Sequence, residues 1–263
     1  MGKTEIGDFM PRLIRRLFLL SIACMGCAFG QTVTGTFAQI VYGGTWQTTF
    51  TLINLDSTNL AGVTLTFFGD NGAPLNVPVV GFGSTSSYTF TIPASGSQNI
   101  VLSSGDPLTE GWATMSVTSG TVRGQGSFRS VTLSGATFET VVPLSTSGSA
   151  VCIIPFPPPS NPVILIPFDN TGGHNTSIAL ANTTNVALTV PIEFDDQTNR
   201  QLKTDSIVLQ PMAHTAFTLA STYQVLAGTK GVIRIQASTS SLTVLGLLSN
   251  ANNAITTIIP ITQ

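Results

Sequence analysis

Few residues in this chain of 263 could do chemistry. Its strongest metal donors and nucleophiles are His174, His214, Cys24, Cys27 and Cys152. An ordinary zinc site needs three or four converging His, Cys or carboxylate ligands. Two histidines 40 positions apart do not supply them, and each reads as a turn residue, exposed or hydrogen-bonded. Cys152 lies in Val151-Cys152-Ile153-Ile154, with no His, Lys or Arg beside it to lower its pKa. It reads as a buried, inert thiol. Asp205, Ser206 and His214 are close in sequence, but adjacent residues of a strand face opposite ways, and no Gly-x-Ser-x-Gly elbow exists to activate a serine. A glycosidase acid pair such as Glu110 with Glu139 would need an oriented cleft. No catalytic residue and no cofactor is expected.

Two weaker ligand sets remain. Glu193, Asp195, Asp196 and Asn199 could offer oxygens to calcium. The same residue types build a solvated hairpin turn, and Asp70-Asn71-Gly72 occupies the corresponding place earlier in the chain. Trp46 and Trp112 could stack on sugars. Trp46 shares a strand face with Phe50 and Leu52, which favours packing. Trp112 lies on the face opposite Ala113 and Met115 and is expected to be the more exposed of the two.

The composition constrains what positions these residues. Charged residues are only 8% of the chain, with 10 Lys+Arg against 12 Asp+Glu and a net charge of −2. Arg12, Arg15 and Arg16 crowd near the start, so no basic stripe remains to follow a phosphate backbone, and nucleic acid is excluded as a partner. Hydrophobic residues reach 42%, enough for a core and too many for a disordered chain.

Residues 1–30 read as a signal peptide. Lys3 and the three arginines form a positive region, and an apolar run opens at Leu17-Phe18-Leu19-Leu20. Ala28-Phe29-Gly30 places small residues before Gln31, so cleavage is expected after Gly30. Cys24 follows Ala23, but Ser21 stands where a lipoprotein signal needs an aliphatic residue. Cys24 and Cys27 therefore read as apolar filler. The expected route is secretory export to the periplasm, outer surface or medium, with no membrane span in the mature chain.

The mature sequence repeats itself. Gly43-Gly44-Thr45-Trp46-Gln47-Thr48-Thr49-Phe50-Thr51-Leu52-Ile53-Asn54 aligns with Thr171–Asn182 at an offset of 128. Val63–Phe67 falls on Val190–Phe194, Gly111–Met115 on Gly231–Ile235, and Gly126 on Gly246. Val141-Val142-Pro143-Leu144 matches Ile258-Ile259-Pro260-Ile261. These collinear blocks define two copies of one domain, 35–147 and 163–263. The segment 148–162 between them contains Pro155-Phe156-Pro157-Pro158-Pro159 and reads as a semi-rigid, extended spacer, with Val151–Ile154 as a candidate edge strand.

Each copy alternates apolar and hydroxyl residues with period two, as in Trp46–Asn54, Val63–Phe67, Tyr88–Ile92 and Ala113–Val117. Ile178–Leu180, Val190–Phe194 and Leu242–Leu248 do the same in the second copy. Helix formers are scarce, so the fold class is all-β. About seven or eight antiparallel strands per copy fit an immunoglobulin-like β-sandwich.

The pattern Gly-Gly-x-Trp-x-Thr-x-Phe-x-Leu-x-Asn at Gly43–Asn54, with Phe67-Phe68-Gly69 and Pro74-Leu75, resembles a group of uncharacterised secreted bacterial proteins. Those proteins carry tandem immunoglobulin-like sandwich domains. The second copy departs from the pattern, with His174 in place of Trp46 and Asp195-Asp196 in place of Phe68-Gly69. The resemblance implies architecture and lends no functional residue. The resulting expectation is a non-catalytic cell-surface, adhesion or scaffold protein whose partner is a protein or glycan. A carbohydrate-binding module and a secreted hydrolase are the alternatives.

Overall fold

Each alternating segment quoted above is a strand in the computed structural model, which describes residues 33–131, 135, 137–146, 163–237, 241–252 and 254–263. The signal peptide with Cys24 and Cys27, Cys152, the candidate strand at 151–154 and the spacer 148–162 lie outside the described residues. In the N-terminal half the strands are β1 (Val33–Tyr42), β2 (Trp46–Asn54), β3 (Ala61–Phe68), β4 (Val77–Val79), β5 (Gly83–Thr85), β6 (Ser87–Ile92), β7 (Ser97–Leu102), β8 (Thr109–Ser119), β9 (Val122–Val131) and β10 (Thr137–Pro143). In the C-terminal half they are β11 (Val163–Asp169), β12 (Asn175–Asn182), β13 (Leu188–Asp196), β14 (Gln201–Leu209), β15 (His214–Thr218), β16 (Lys230–Gln236), β17 (Leu242–Ser249), β18 (Ile255–Ile258) and β19 (Ile261–Thr262). One short helix, α1 (Leu219–Thr222), and a 3-10 turn at Gln224–Leu226 follow β15.

The strands form four antiparallel sheets. Their orders are β1-β8-β3-β6 and β10-β9-β2-β7-β4-β5 in the first half, and β14-β13-β16-β11-β19 and β15-β12-β17-β18 in the second. Without the short strands β4, β5 and β19, the two halves have the same order: β1, β8, β3 and β6 match β11, β16, β13 and β14, while β10, β9, β2 and β7 match β18, β17, β12 and β15. The internal repeat is therefore a repeat of topology. Each half also has its own apolar cluster, one around Phe37, Phe50, Leu52, Leu65, Phe67 and Met115, the other around Ile166, Leu180, Phe194, Leu219, Ile233 and Ile235.

Equivalent polar residues hold equivalent corners. Thr48 donates to the Val41 carbonyl at 2.7 Å and accepts from the Val41 amide at 2.9 Å. Thr176 makes the same pair of bonds to Asp169, at 3.1 and 2.9 Å. Asn54, 1% exposed, donates to the carbonyls of Asn59, Ile92 and Pro93 and accepts from the amide of Asp56. Asn182, fully buried, donates to Val186, Leu209 and Gln210 and accepts from Thr184. These side chains satisfy main-chain groups where the chain leaves one sheet for the other, groups that would otherwise be buried without partners. Gly111 and Gly231 are also matched: a Cβ on either would strike the carbonyl of the neighbouring strand, at Phe68 and Asp195 respectively.

The match at the end of the two copies needs one correction. Gly126 pairs with Val142, and Gly246 pairs with Ile258. Ile258, not Ile259, is thus the counterpart of Val142. Ile259 is 72% exposed, as an outward residue of a slipped register must be.

The halves are packed together. β1 is buried on both faces, because its outer side lies against β12 and β17. The face of β12 and β17 turned away from their own core contributes Ala179 and Leu245 to the first half's cluster, with Ala216 and Leu247 packed beside them. Small residues at Ala179 and Ala216 let main chains approach. Along a second seam Thr140 and Thr257 share a hydroxyl–hydroxyl bond of 2.9 Å, and the Thr257 hydroxyl also donates to the Val141 carbonyl. The strands from 33 onward form one compact unit.

Replacing Asn54 or Asn182 with Ala strands several buried carbonyls. Each variant should lose about 1–3 kcal/mol of unfolding free energy in urea titration. A loss at only one of the two positions would contradict their structural equivalence.

Candidate functional site

A group of polar and aromatic side chains meets at the junction of the halves. Its first component is the β3–β4 loop, where Gly72 has φ +78° and a Cβ would collide with the Pro211 carbonyl. Gly72 thus lets Asp70-Asn71-Gly72 sit directly on the turn Gln210–His214. In that turn Met212 takes φ +57°, an uncommon conformation for a residue with a side chain, and its carbonyl accepts a 2.8 Å bond from the Trp112 indole N–H. Trp112 is 0% exposed, and its ring stacks on Phe68 at 5.0 Å. The expected exposure of Trp112 is therefore overturned. Its side chain does point away from the N-terminal core, but the C-terminal half covers that face, so it cannot serve as a sugar platform.

His214 opens β15 and is buried, so of its two readings the exposed one fails and the hydrogen-bonded one describes it. Its amide donates to the Asp70 carbonyl at 3.1 Å, and its Nδ1 lies 2.7 Å from Asp70 Oδ1. Nε2 is buried without a hydrogen-bond partner. Glu110 stands nearby with Gln39 Nε2 donating to it at 3.4 Å. Burial pushes the Glu110 carboxyl above its ordinary range and the Asp70 charge adds to this, while His214 and the Gln39 bond work in the opposite direction. Chemically this arrangement is a hydrogen-bonded lock between two folded halves.

The calcium candidates have other partners. The Asp195 side chain is held by Arg234, with Nε 2.5 Å from Oδ2, and Arg234 also donates to Asn199 Oδ1 at 2.9 Å. Asp196 accepts from the Thr198 amide and hydroxyl, the Arg200 amide and the Arg200 guanidinium. The Thr198 hydroxyl and the Arg200 amide hold its carboxyl well below the usual carboxylate range. Glu193 lies opposite Arg234 in the β13–β16 register. A calcium ion would have to compete with two guanidinium groups, and these residues form a turn and its counter-charges. Among the described residues no three His, Cys, Asp or Glu converge in a way that could hold a metal.

The remaining candidates are dispersed. Trp46 is half-buried against the N-terminal cluster. His174 is half-buried, with Nδ1 unpartnered. Asp205 and Ser206 sit on β14, in a different sheet from His214. The Asp205 carboxyl is lowered by the Ser206 amide and by the Tyr223 hydroxyl, and Lys203 lies 5.9 Å from the Tyr223 ring centroid. Glu110 and Glu139 belong to opposite sheets.

An aromatic row at the open edge of the first half is not signalled by the sequence pattern. Phe82 is 62% exposed and packs on Tyr88 at 4.8 Å, and Tyr88 stacks on Phe90 at 5.3 Å. Alternation placed Tyr88 and Phe90 on one face but could not show that this face reaches the rim. Among the described residues no helix is long and apolar enough to cross a membrane.

No family model matches the chain, and no curated protein or solved structure is significantly similar to it. Two outcomes test the junction. Trp112→Phe keeps the ring stack and deletes the donor to Met212, so it should cost about 1–3 kcal/mol in chemical denaturation. Glu110→Gln tests the buried carboxyl. A carboxyl with a raised folded-state pKa favours folding most below its unfolded value, and that contribution fades as pH rises through the folded value. The variant's melting temperature should therefore gain on wild type between pH 4 and pH 8, roughly across the carboxylate range and above. A constant difference over that range would remove Glu110 from the account.

Proposed function

We propose that this chain is an exported, non-catalytic cell-surface, adhesion or scaffold protein. Its two modules, 35–147 and 163–263, are immunoglobulin-like in the broad sense of paired antiparallel sheets, with a strand order of their own. The observation that carries the reading is the junction, where the Trp112–Met212 and Asp70–His214 contacts spend the chemically capable side chains on holding the modules together. Rigid coupling of two modules suits a protein that bears or spaces a partner. The faces rich in Thr and Ser and the low charge of 8% support an extracellular setting. The resemblance at Gly43–Asn54 supports a bacterial, secreted origin.

The carbohydrate-binding alternative is weakened because Trp112 is buried and Trp46 is half-packed. The hydrolase alternative has less support, since Glu139 lies on a different sheet from Glu110, and Asp205 and Ser206 lie on a different sheet from His214.

The test is expression of the whole chain in a bacterial host, with N-terminal sequencing of the exported product and protease treatment of intact cells. A product that begins at Gln31 and is found outside the cytoplasm is expected. Retention in the cytoplasm with Met1 intact would overturn the export reading. Saturable binding on a glycan array that is lost in Trp46→Ala would replace the scaffold reading with the carbohydrate one.

A further inference from the structure

The four sheets leave edge strands, and nearly all of them are protected. β14 carries Lys203 and Asp205. β10 and β18 cover each other through Thr140 and Thr257. β1 is buried against the second half, β15 abuts β8 and runs into α1, and β5 and β19 have three and two residues. Charge, coverage and shortness are the ways natural sheets avoid pairing with other chains. Among the described edges β6 has none of them. Its six residues, Ser-Tyr-Thr-Phe-Thr-Ile, are uncharged and free of proline, and they pair with β3 alone.

The register shows which main-chain groups are free. The Phe67 amide donates to the Ser86 carbonyl at 3.0 Å, which makes Thr66 and Ser87 a non-hydrogen-bonded pair. Thr64 and Thr89 are then another such pair, in agreement with their hydroxyls lying 2.9 Å apart. Ser87, Thr89 and Thr91 therefore turn their N–H and C=O groups away from β3. The Thr85 hydroxyl takes both groups of Ser87, at 2.7 and 3.1 Å. Thr89 and Thr91 are exposed. The free edge is closed at one end by Thr85 and at the other by Pro93, which has no N–H.

We propose that β6 is a self-association edge whose occupant is β6 of a second copy of this chain. A two-fold axis at Phe90 sets Thr89 opposite the partner's Thr91 and Thr91 opposite the partner's Thr89, forming about four main-chain hydrogen bonds. The same axis pairs Phe90 with the partner's Phe90, and Tyr88 with the partner's Ile92, on one face. No charge opposes the pairing. Two four-stranded sheets become one continuous sheet, and the exposed Phe82, 62% accessible, packs on Tyr88 beside the seam. The self-complementary register, bounded at both ends, is what selects a second copy over an unrelated strand. This inference is independent of export and of the scaffold reading.

The experiment is sedimentation velocity on the chain from Gln31, over about 1 to 100 μM, with amide hydrogen exchange at the same concentrations. Wild type should shift from monomer to dimer, and the Thr91 and Thr89 amides should exchange more slowly as it does. Thr91→Pro removes an outward N–H that β3 does not use. It should weaken the dimer by at least about tenfold, because symmetry deletes two bonds, and should leave the unfolding midpoint unchanged. A chain that stays monomeric overturns the proposal. So does a dimer that survives Thr91→Pro, a dimer protected elsewhere than at β6, or a monomer that pairs at β6 only with an added unrelated strand peptide.

Discussion

Most of the structure depends on one requirement, that a buried main chain must have its polar groups satisfied wherever it leaves one sheet for the other. In the first half β1, β2 and β3 alternate between the two sheets, as do β6, β7 and β8. Each crossing exposes amides and carbonyls that no ladder can pair. Thr48 and Asn54 answer this in the first half, and Thr176 and Asn182 in the second, with equivalently placed partners. The apolar clusters supply the driving force, but these four side chains decide where the chain turns.

The same requirement explains the junction. Trp112 carries a single N–H and is too large to leave its outer face in water without cost. The C-terminal half offers that N–H a carbonyl, from a Met212 held in an uncommon backbone conformation. Gly72 makes room for the approach, and Asp70 takes the His214 amide and ring. His214 and Glu110, two of the groups weighed for chemistry, are thus engaged at this internal junction. Asp195 and Asp196 of β13 are likewise paired, with Arg234 and Arg200.

Protection of edges is the complementary constraint. Long crossovers and non-local pairing leave strand edges that a cell would have to manage. Here the management is uneven. Most of the described edges are charged, covered or very short, while β6 keeps an uncharged ladder of defined length.

The sequence by itself determined the all-β class, the positions of the strands that alternate with period two and the recurrence of collinear blocks, because alternation is a local property and a repeat shows itself when one stretch of the chain is compared with another. It also held an unused signal. Thr48 and Asn54 recur as Thr176 and Asn182 at the offset of 128, and a polar residue repeated at a core-facing position marks a buried hydrogen-bonding role. Tertiary structure alone decided the environment of Trp112, of His214 and of Asp195, whose partner Arg234 stands 39 residues away. Alternation says on which side of a strand a residue lies, and it says nothing about what covers that side. The contacts that cover it come from segments 100 or more residues away for Trp112 and 144 for His214. Such contacts are fixed by how two folded surfaces fit, and no pattern within either segment encodes that fit.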